Sequence, residues 1–241
     1  RLLGRADLSL VLAPELASDA RQLAPRRLAV VANGLAVRRA APPVRVPADR
    51  DDRPTRVLFL GLCSAEKGVF DTLTALAIAN RRQPGALHLT VAGSFASTRD
   101  QHAFFSQVQA LGPEFVEHVG FADAERKHAL FAAADLFCFP TCYPHEGQPL
   151  VLLEALAHDL PIVTTRWRAI PGMLPPEHVY LVDSGRPDQL ADALLTARRG
   201  PQPAGKLRAH YESHFTPERH LAILAAALRS HVRSPNSSVK T

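Results

Sequence analysis

Two glutamates eight positions apart, Glu146 and Glu154, bracket the stretch His-Glu-Gly-Gln-Pro-Leu-Val-Leu-Leu-Glu. Proline is favoured at the first helical position, where its missing N–H would be unpaired anyway, so a helix is expected to start near Gln148 or Pro149, with Gly147 setting the entry. From Leu150 to Ala157 every residue except Glu154 is apolar, the mark of a helix buried all round. A buried carboxylate needs a partner. The bland partner is a neighbouring arginine or a backbone group; the chemical one is a ligand. At about 1.5 Å of rise per residue the two carboxylates stand about 12 Å apart, comparable to the reach from sugar to ribose in a nucleotide sugar. Between them lie the amides of a helix N-terminus, which favour a phosphate.

A second candidate is the segment Gly61-Leu-Cys-Ser-Ala-Glu-Lys67-Gly68. Its order is Lys-Gly and not Gly-Lys-Ser/Thr, so it is no P-loop, and no Gly-x-Gly-x-x-Gly supports a dinucleotide site. A lysine at the carboxyl end of a parallel strand still points to the crevice where the 146 loop should lie, and as a point charge it suits a diphosphate. Alone, it would read as an ordinary surface lysine. Gly93 and Gly120-Phe121 end two further strands; glycine there either lets the backbone approach a flat base or simply turns the chain. The eleven histidines show no metal spacing, and no Ser or Cys has an evident His and Asp partner to make it a nucleophile. The three cysteines, Cys63, Cys138 and Cys142, read as reduced packing thiols of a cytosolic protein. There the Asn236-Ser237-Ser238 sequon is a chance match.

The elements that must position these residues alternate regularly from Arg56 onward. Strands are expected at Val57–Leu60, Leu87–Ala92, Phe115–Val119, Leu136–Phe139, Pro161–Thr165 and His178–Val182. Helices are expected at Val69–Asn80, Arg99–Leu111, Ala124–Ala133, 150–157, Asp188–Ala197 and Pro217–His231, with Leu207–Ser213 ahead of the last. Continuously apolar strands alternating with helices imply an α/β fold, a Rossmann-like parallel sheet with helices on both faces, and ligands of such sheets bind at the carboxyl ends of the strands. Residues 1–40, with a strand at Ser9–Ala13, a helix at Pro14–Ala24 and a strand at Leu28–Ala32 ending in Asn33-Gly34, read as the end of a preceding domain and its hinge. Residues 41–54 are a Pro-, Arg- and Asp-rich linker, residues 55–232 the regular domain, and residues 233–241 a disordered polar tail.

Composition bounds the function. With 241 residues, 46% apolar and 21% charged, the chain is an ordinary soluble globular one. Its net charge of +5 fits an anionic ligand or an acidic membrane surface. Aromatics at 6% without basic interleaving give no support to nucleic-acid binding. There is no signal peptide and no run of eighteen apolar residues.

Glu146 to Glu154 as Glu-x7-Glu, Gly61 to Gly68, Val91-Ala92-Gly93, Val119-Gly120-Phe121, Ala134-Asp135-Leu136-Phe137 and Pro161-Ile-Val-Thr-Thr together resemble the donor-binding domain of glycosyltransferase family 4. Val31-Ala-Asn33-Gly34-Leu35 is similar to the strand and hinge that join its two domains. The resemblance runs over roughly residues 7 to 230. It implies a GT-B fold, two Rossmann-like domains facing across a cleft, of which this chain carries the C-terminal one. It further implies that Lys67 contacts the donor diphosphate, Glu146 the sugar and Glu154 the ribose hydroxyls. The amides of Gly147, Gln148, Pro149 and Leu150 at the helix start would hold phosphate (Pro149 itself has no N–H), and Gly61, Gly93 and Phe121 would line the donor site.

Transfer in that family retains the anomeric configuration, usually without a metal, and no cofactor is expected beyond a donor of UDP or GDP type. The implied protein is a cytoplasmic hexosyltransferase of cell-envelope or exopolysaccharide synthesis, with peripheral contact at the inner face of the cell membrane allowed. Its glycan or lipid-linked acceptor would bind through the first domain. The chain departs from the family at Leu62, where many members have arginine, which leaves phosphate neutralisation to Lys67 or another cation. Two other classes stay open: a non-catalytic nucleotide-binding module of GT-B fold, and a nucleotide-sugar isomerase of the same architecture.

Overall fold

The structure is a computed structural model that describes residues 6–22, 24–37 and 53–232. The expected linker, apart from Arg53 and Pro54, and the expected tail 233–241 lie outside the described residues.

Six strands form one parallel sheet: β3 (Thr55–Leu60), β4 (Leu87–Ala92), β5 (Val116–Gly120), β6 (Leu136–Phe139), β7 (Ile162–Thr165) and β8 (Val179–Val182). Their spatial order is β5-β4-β3-β6-β7-β8. The chain therefore starts in the middle, winds outward to one edge, returns to the centre and winds outward to the other. Where the two directions part, between β3 and β6, the loops above the sheet diverge and leave a crevice at the carboxyl ends of the strands.

The strands are continuously apolar because both faces are covered: every residue of β6 and β7 is buried. The covering helices are α2 (Val69–Arg82), α3 (Thr98–Leu111), α4 (Ala124–Ala133), α5 (Leu150–Ala157) and α7 (Pro187–Arg199), with α8 (Lys206–His214) packed on α5. Ser97 caps α3 by accepting from the Asp100 amide at 3.0 Å, and Asp123 caps α4 by accepting from Arg126 at 2.8 Å. Each satisfies an amide that the helix itself leaves unpaired.

The N-terminal segment makes a separate two-stranded parallel sheet, β1 (Ser9–Val11) with β2 (Leu28–Val30). The single helix expected over Pro14–Ala24 is instead a 3-10 turn, Pro14–Leu16, followed by a five-residue helix α1 (Ala17–Arg21). Pro14 starts the turn, and the Leu16 amide bonds to the Ala13 carbonyl at 3.1 Å, a closure one residue tighter than an α-helix. A short helix α6 (Ile170–Met173), which Pro171 and Gly172 hid from a periodicity reading, follows β7. Helix α9 (Pro217–Val232) runs back to the N-terminal segment: His220 Nδ1 lies 2.7 Å from the Ala32 carbonyl, and Arg27 donates to the Ser230 carbonyl at 3.1 Å. Among the described residues no helix is long and apolar enough to cross a membrane.

Candidate functional site

The two loops that leave β3 and β6 meet at the crevice through an ion pair. Lys67 Nζ lies 2.6 Å from Glu146 Oε2, and Thr141 Oγ1 donates to the same oxygen at 3.0 Å. The Lys67 ammonium sits 4.4 Å from the centre of the Tyr143 ring, a cation over an aromatic face. The Lys67 and Glu146 side chains keep only 20% and 10% of their exposure, so Lys67 is no ordinary surface lysine. A pair this buried survives because each charge compensates the desolvation of the other.

Backbone contacts fix the two loops together. Gly68 has φ +84°, and a Cβ there would fall 2.3 Å from the Pro140 carbonyl oxygen. The Cys142 amide donates to the Glu66 carbonyl at 2.8 Å. Gly93 answers to a similar constraint, since its Cβ would lie 1.8 Å from the Gly61 oxygen. Its lack of a side chain serves the packing of the β4 end against the β3 end.

Beyond Glu146 the loop turns into α5. Gly147 lies beneath the N-terminal segment, where an added Cβ would sit 3.2 Å from Leu12 and 3.7 Å from Leu16. Gln148 is buried, and its Oε1 accepts from the Asn33 amide at 2.6 Å. Pro149 is the N-cap, with extended backbone, and Leu150 is the first helical residue. The helix is also not buried all round: Leu150 is 46% exposed, so the first turn of α5 opens to the outside while Leu152 onward faces the core.

A cavity of about 590 Å³ lies between the ends of β3, β4 and β5, and the Phe139 ring links it to the Lys67–Glu146 pair: its centre is 5.9 Å from Lys67 Nζ, and a Cβ on Gly61 would fall 3.1 Å from the ring. Gly61, Leu62, Gly93, Phe121, Asp123 and Lys127 are among its lining, and Phe121 stands 74% exposed at its mouth. Lys127 of this lining bonds Glu154 Oε1 at 2.5 Å. Glu154 thus has an internal cationic partner, a lysine where the bland expectation named an arginine or a backbone group. The same lysine and glutamate face a second cavity of about 400 Å³ with His128, Phe131 and His158. Gly61, Gly93 and Phe121 therefore share one wall, Lys67 and Glu146 form one pair, and Glu154 is joined to the cavity through Lys127.

The family model described as "Glycosyl transferases group 1" matches residues 54–198, well over half of the chain. The chain belongs to this family. No curated protein matches it. Among solved structures, sucrose-phosphate synthase from Thermosynechococcus elongatus is 22% identical with a TM-score of 0.76, over 97% of this chain and 60% of that one. Anabaena HepE, crystallised with UDP and glucose, is 20% identical with a TM-score of 0.74, over 93% and 63%. The lipopolysaccharide outer core galactosyltransferase WaaB is 21% identical with a TM-score of 0.74, over 93% and 62%. The fold of the chain is therefore the α/β GT-B type, and the chain spans about 60% of the length of the first of these structures.

Several residues around these loops escape a reading by motif. Thr141, Tyr143 and Lys127 lie in or beside the matched segments, and no local pattern distinguishes them. Lys127 is a cation in the lining of the same cavity as Leu62. Arg168 donates through Nε to the Glu146 carbonyl at 2.9 Å. The cysteines are set apart from the chemistry: burial pushes the Cys63 and Cys138 thiols up to about 12, so they are not thiolates at neutral pH.

Proposed function

We propose that the chain is the C-terminal, donor-binding half of a retaining hexosyltransferase of glycosyltransferase family 4 type. It would transfer a sugar from a nucleoside-diphosphate sugar, of UDP or GDP type, to a glycan or lipid-linked acceptor. Cell-envelope or exopolysaccharide synthesis on the cytoplasmic side of the membrane is the setting such an acceptor implies. On this reading residues 1–40 close a first domain that holds the acceptor, and residues 55–232 hold the donor.

The observation that carries the reading is the Lys67–Glu146 pair, set at the parting of the strand order and linked to the Gly61–Gly93–Phe121 cavity across the Phe139 ring. A lysine ammonium has three donors, so Lys67 can keep Glu146 and still meet a diphosphate. The first-turn amides of α5 add their partial positive charge to the same phosphates. Glu146 faces the sugar and Glu154 the ribose, with the base in the cavity that Phe121 borders, whose size is ordinary for a ligand of this class. As the bond from the anomeric carbon to the diphosphate breaks, Lys67 and the amides stabilise the charge on the leaving oxygen. The acceptor oxygen then bonds to the same face of the sugar and its proton passes to the departing phosphate. HepE, which was crystallised with UDP and glucose, supports a donor of the UDP kind.

Calorimetric titration with UDP and GDP tests the site. Lys67→Ala should weaken binding of whichever nucleotide the wild type takes by about ten- to a hundredfold, the worth of one charge-assisted contact. Equal binding by the variant would overturn the assignment.

A further inference from the structure

The loop that carries Glu146 is held along one side by side chains of the end of β7 and of the segment that follows it. Thr164 Oγ1 donates to the Phe139 carbonyl at 2.7 Å and Thr165 Oγ1 to the Thr141 carbonyl at 2.5 Å. Beyond the strand ends Trp167 Nε1 takes the Tyr143 carbonyl at 2.8 Å, and Arg168 Nε takes the Glu146 carbonyl at 2.9 Å. The donors advance along one segment as the acceptors advance along the other. The last of them has a second arm: Arg168 Nη2 donates to the Asp19 carboxylate. Asp19 belongs to α1, in the N-terminal unit whose Leu12 and Leu16 also cover Gly147.

Arg168 holds this position at a cost. Its φ is +47°, a left-handed backbone that disfavours any residue with a Cβ and persists where the surroundings over-determine it. Glycine would sit there without strain but would reach neither Glu146 nor Asp19.

We propose that Arg168 is a positioning residue that couples the seating of the N-terminal unit on the crevice to the placement of Glu146. One guanidinium spans the two, so the unit and the loop order each other, and by linkage a sugar that engages Glu146 favours the seated unit as much as seating favours the sugar. The catalytic consequence rests on the reading of Glu146 as the sugar-side contact; the coupling itself does not.

Hydrogen exchange of the full-length protein, read at the amides of Cys142 and Glu146, tests it in Arg168→Gly, Asp19→Asn and the double variant. Arg168→Gly should melt no lower than the wild type, because the backbone strain is relieved, yet exchange roughly tenfold faster at those amides, the factor one charge-assisted hydrogen bond sets. Asp19→Asn should move the same amides in the same direction, and the double variant should exceed Arg168→Gly by nothing. The ratio of UDP-glucose to UDP affinity should fall about tenfold in Arg168→Gly while UDP alone binds as before. Unchanged exchange in Arg168→Gly, or independent effects of the two substitutions, would overturn the coupling. A wild type that binds neither nucleotide would overturn the donor reading alone, and the exchange result would still decide the coupling.

Discussion

Glu146 is met from two sides, by Lys67 and Thr141 at one carboxylate oxygen and by Arg168 at its main-chain carbonyl. Glu146, Glu154 and Lys67 could be singled out from sequence in combination: Glu154 is the one charge in an apolar helix, and Glu146 and Lys67 each follow a strand whose end opens on the same crevice. Their other partners could not. Lys127 and Arg168 lie 27 and 22 residues from the glutamates they hold, and only the order of the strands brings them close.

The cysteines give a prediction at the same scale. With burial holding the Cys63 and Cys138 thiols up to about 12, alkylation by iodoacetamide at pH 8 should be slow for both in the folded protein. The less buried Cys142, whose thiol burial also raises, should react first. Mass spectrometry of the labelled peptides checks the order, and fast native labelling of Cys138 would contradict it.

Among the elements, the strands and most helices were legible because runs such as Leu136–Phe139 are apolar throughout and alternate regularly with helical stretches. What was not legible lay where local chemistry and packing disagree: the broken helix after Pro14, and Ile170–Met173 with proline and glycine inside it. The entry to the sheet centre depends on Asp135, which accepts from the Arg56 amide at 2.9 Å and from the guanidinium groups of both Arg53 and Arg56. Burial works to raise the Asp135 carboxyl, but hydrogen bonds from the two arginines outweigh it and hold the group well below the usual carboxylate range. A carboxyl depressed in the folded state stabilises fully above its unfolded value of about 3.9, and the contribution is lost as pH falls through the folded value. Asp135→Asn should therefore cost about 2 kcal/mol in denaturant unfolding at pH 6. That difference should shrink as the pH is taken well below 4, and a constant difference down to pH 2 would refute the assignment.

At the scale of the whole molecule, residues 31–37 are clasped from two sides. Gln148 takes the Asn33 amide, the Leu35 amide donates to the Phe215 carbonyl at 2.9 Å, and Tyr211 donates to the Leu35 carbonyl at 2.5 Å. Gly34 lies tightest, since a Cβ there would stand 2.6 Å from His220 Cβ and 2.7 Å from the Thr216 oxygen. Gly34→Ala should push the start of α9 away and cost roughly 2 to 3 kcal/mol, read as a lower melting temperature. The sequence showed the Asn-Gly turn there but not the clasp, whose far side comes from residues some 180 positions later.

The strand order also sets when chemistry can appear as the chain folds. Lys67 follows β3, Glu146 follows β6, and 79 residues separate them. One half of the sheet can collapse around β3 and β4 from local crossovers, whereas the pair must wait for the second half to dock on β3, a contact of long sequence separation and therefore slow to form. On the proposed donor reading, nucleotide affinity should then be the last property regained: after dilution from urea, UDP binding should recover more slowly than the far-ultraviolet helical signal. The crevice would thus serve as a timer on its own assembly, silent until both windings of the sheet have met.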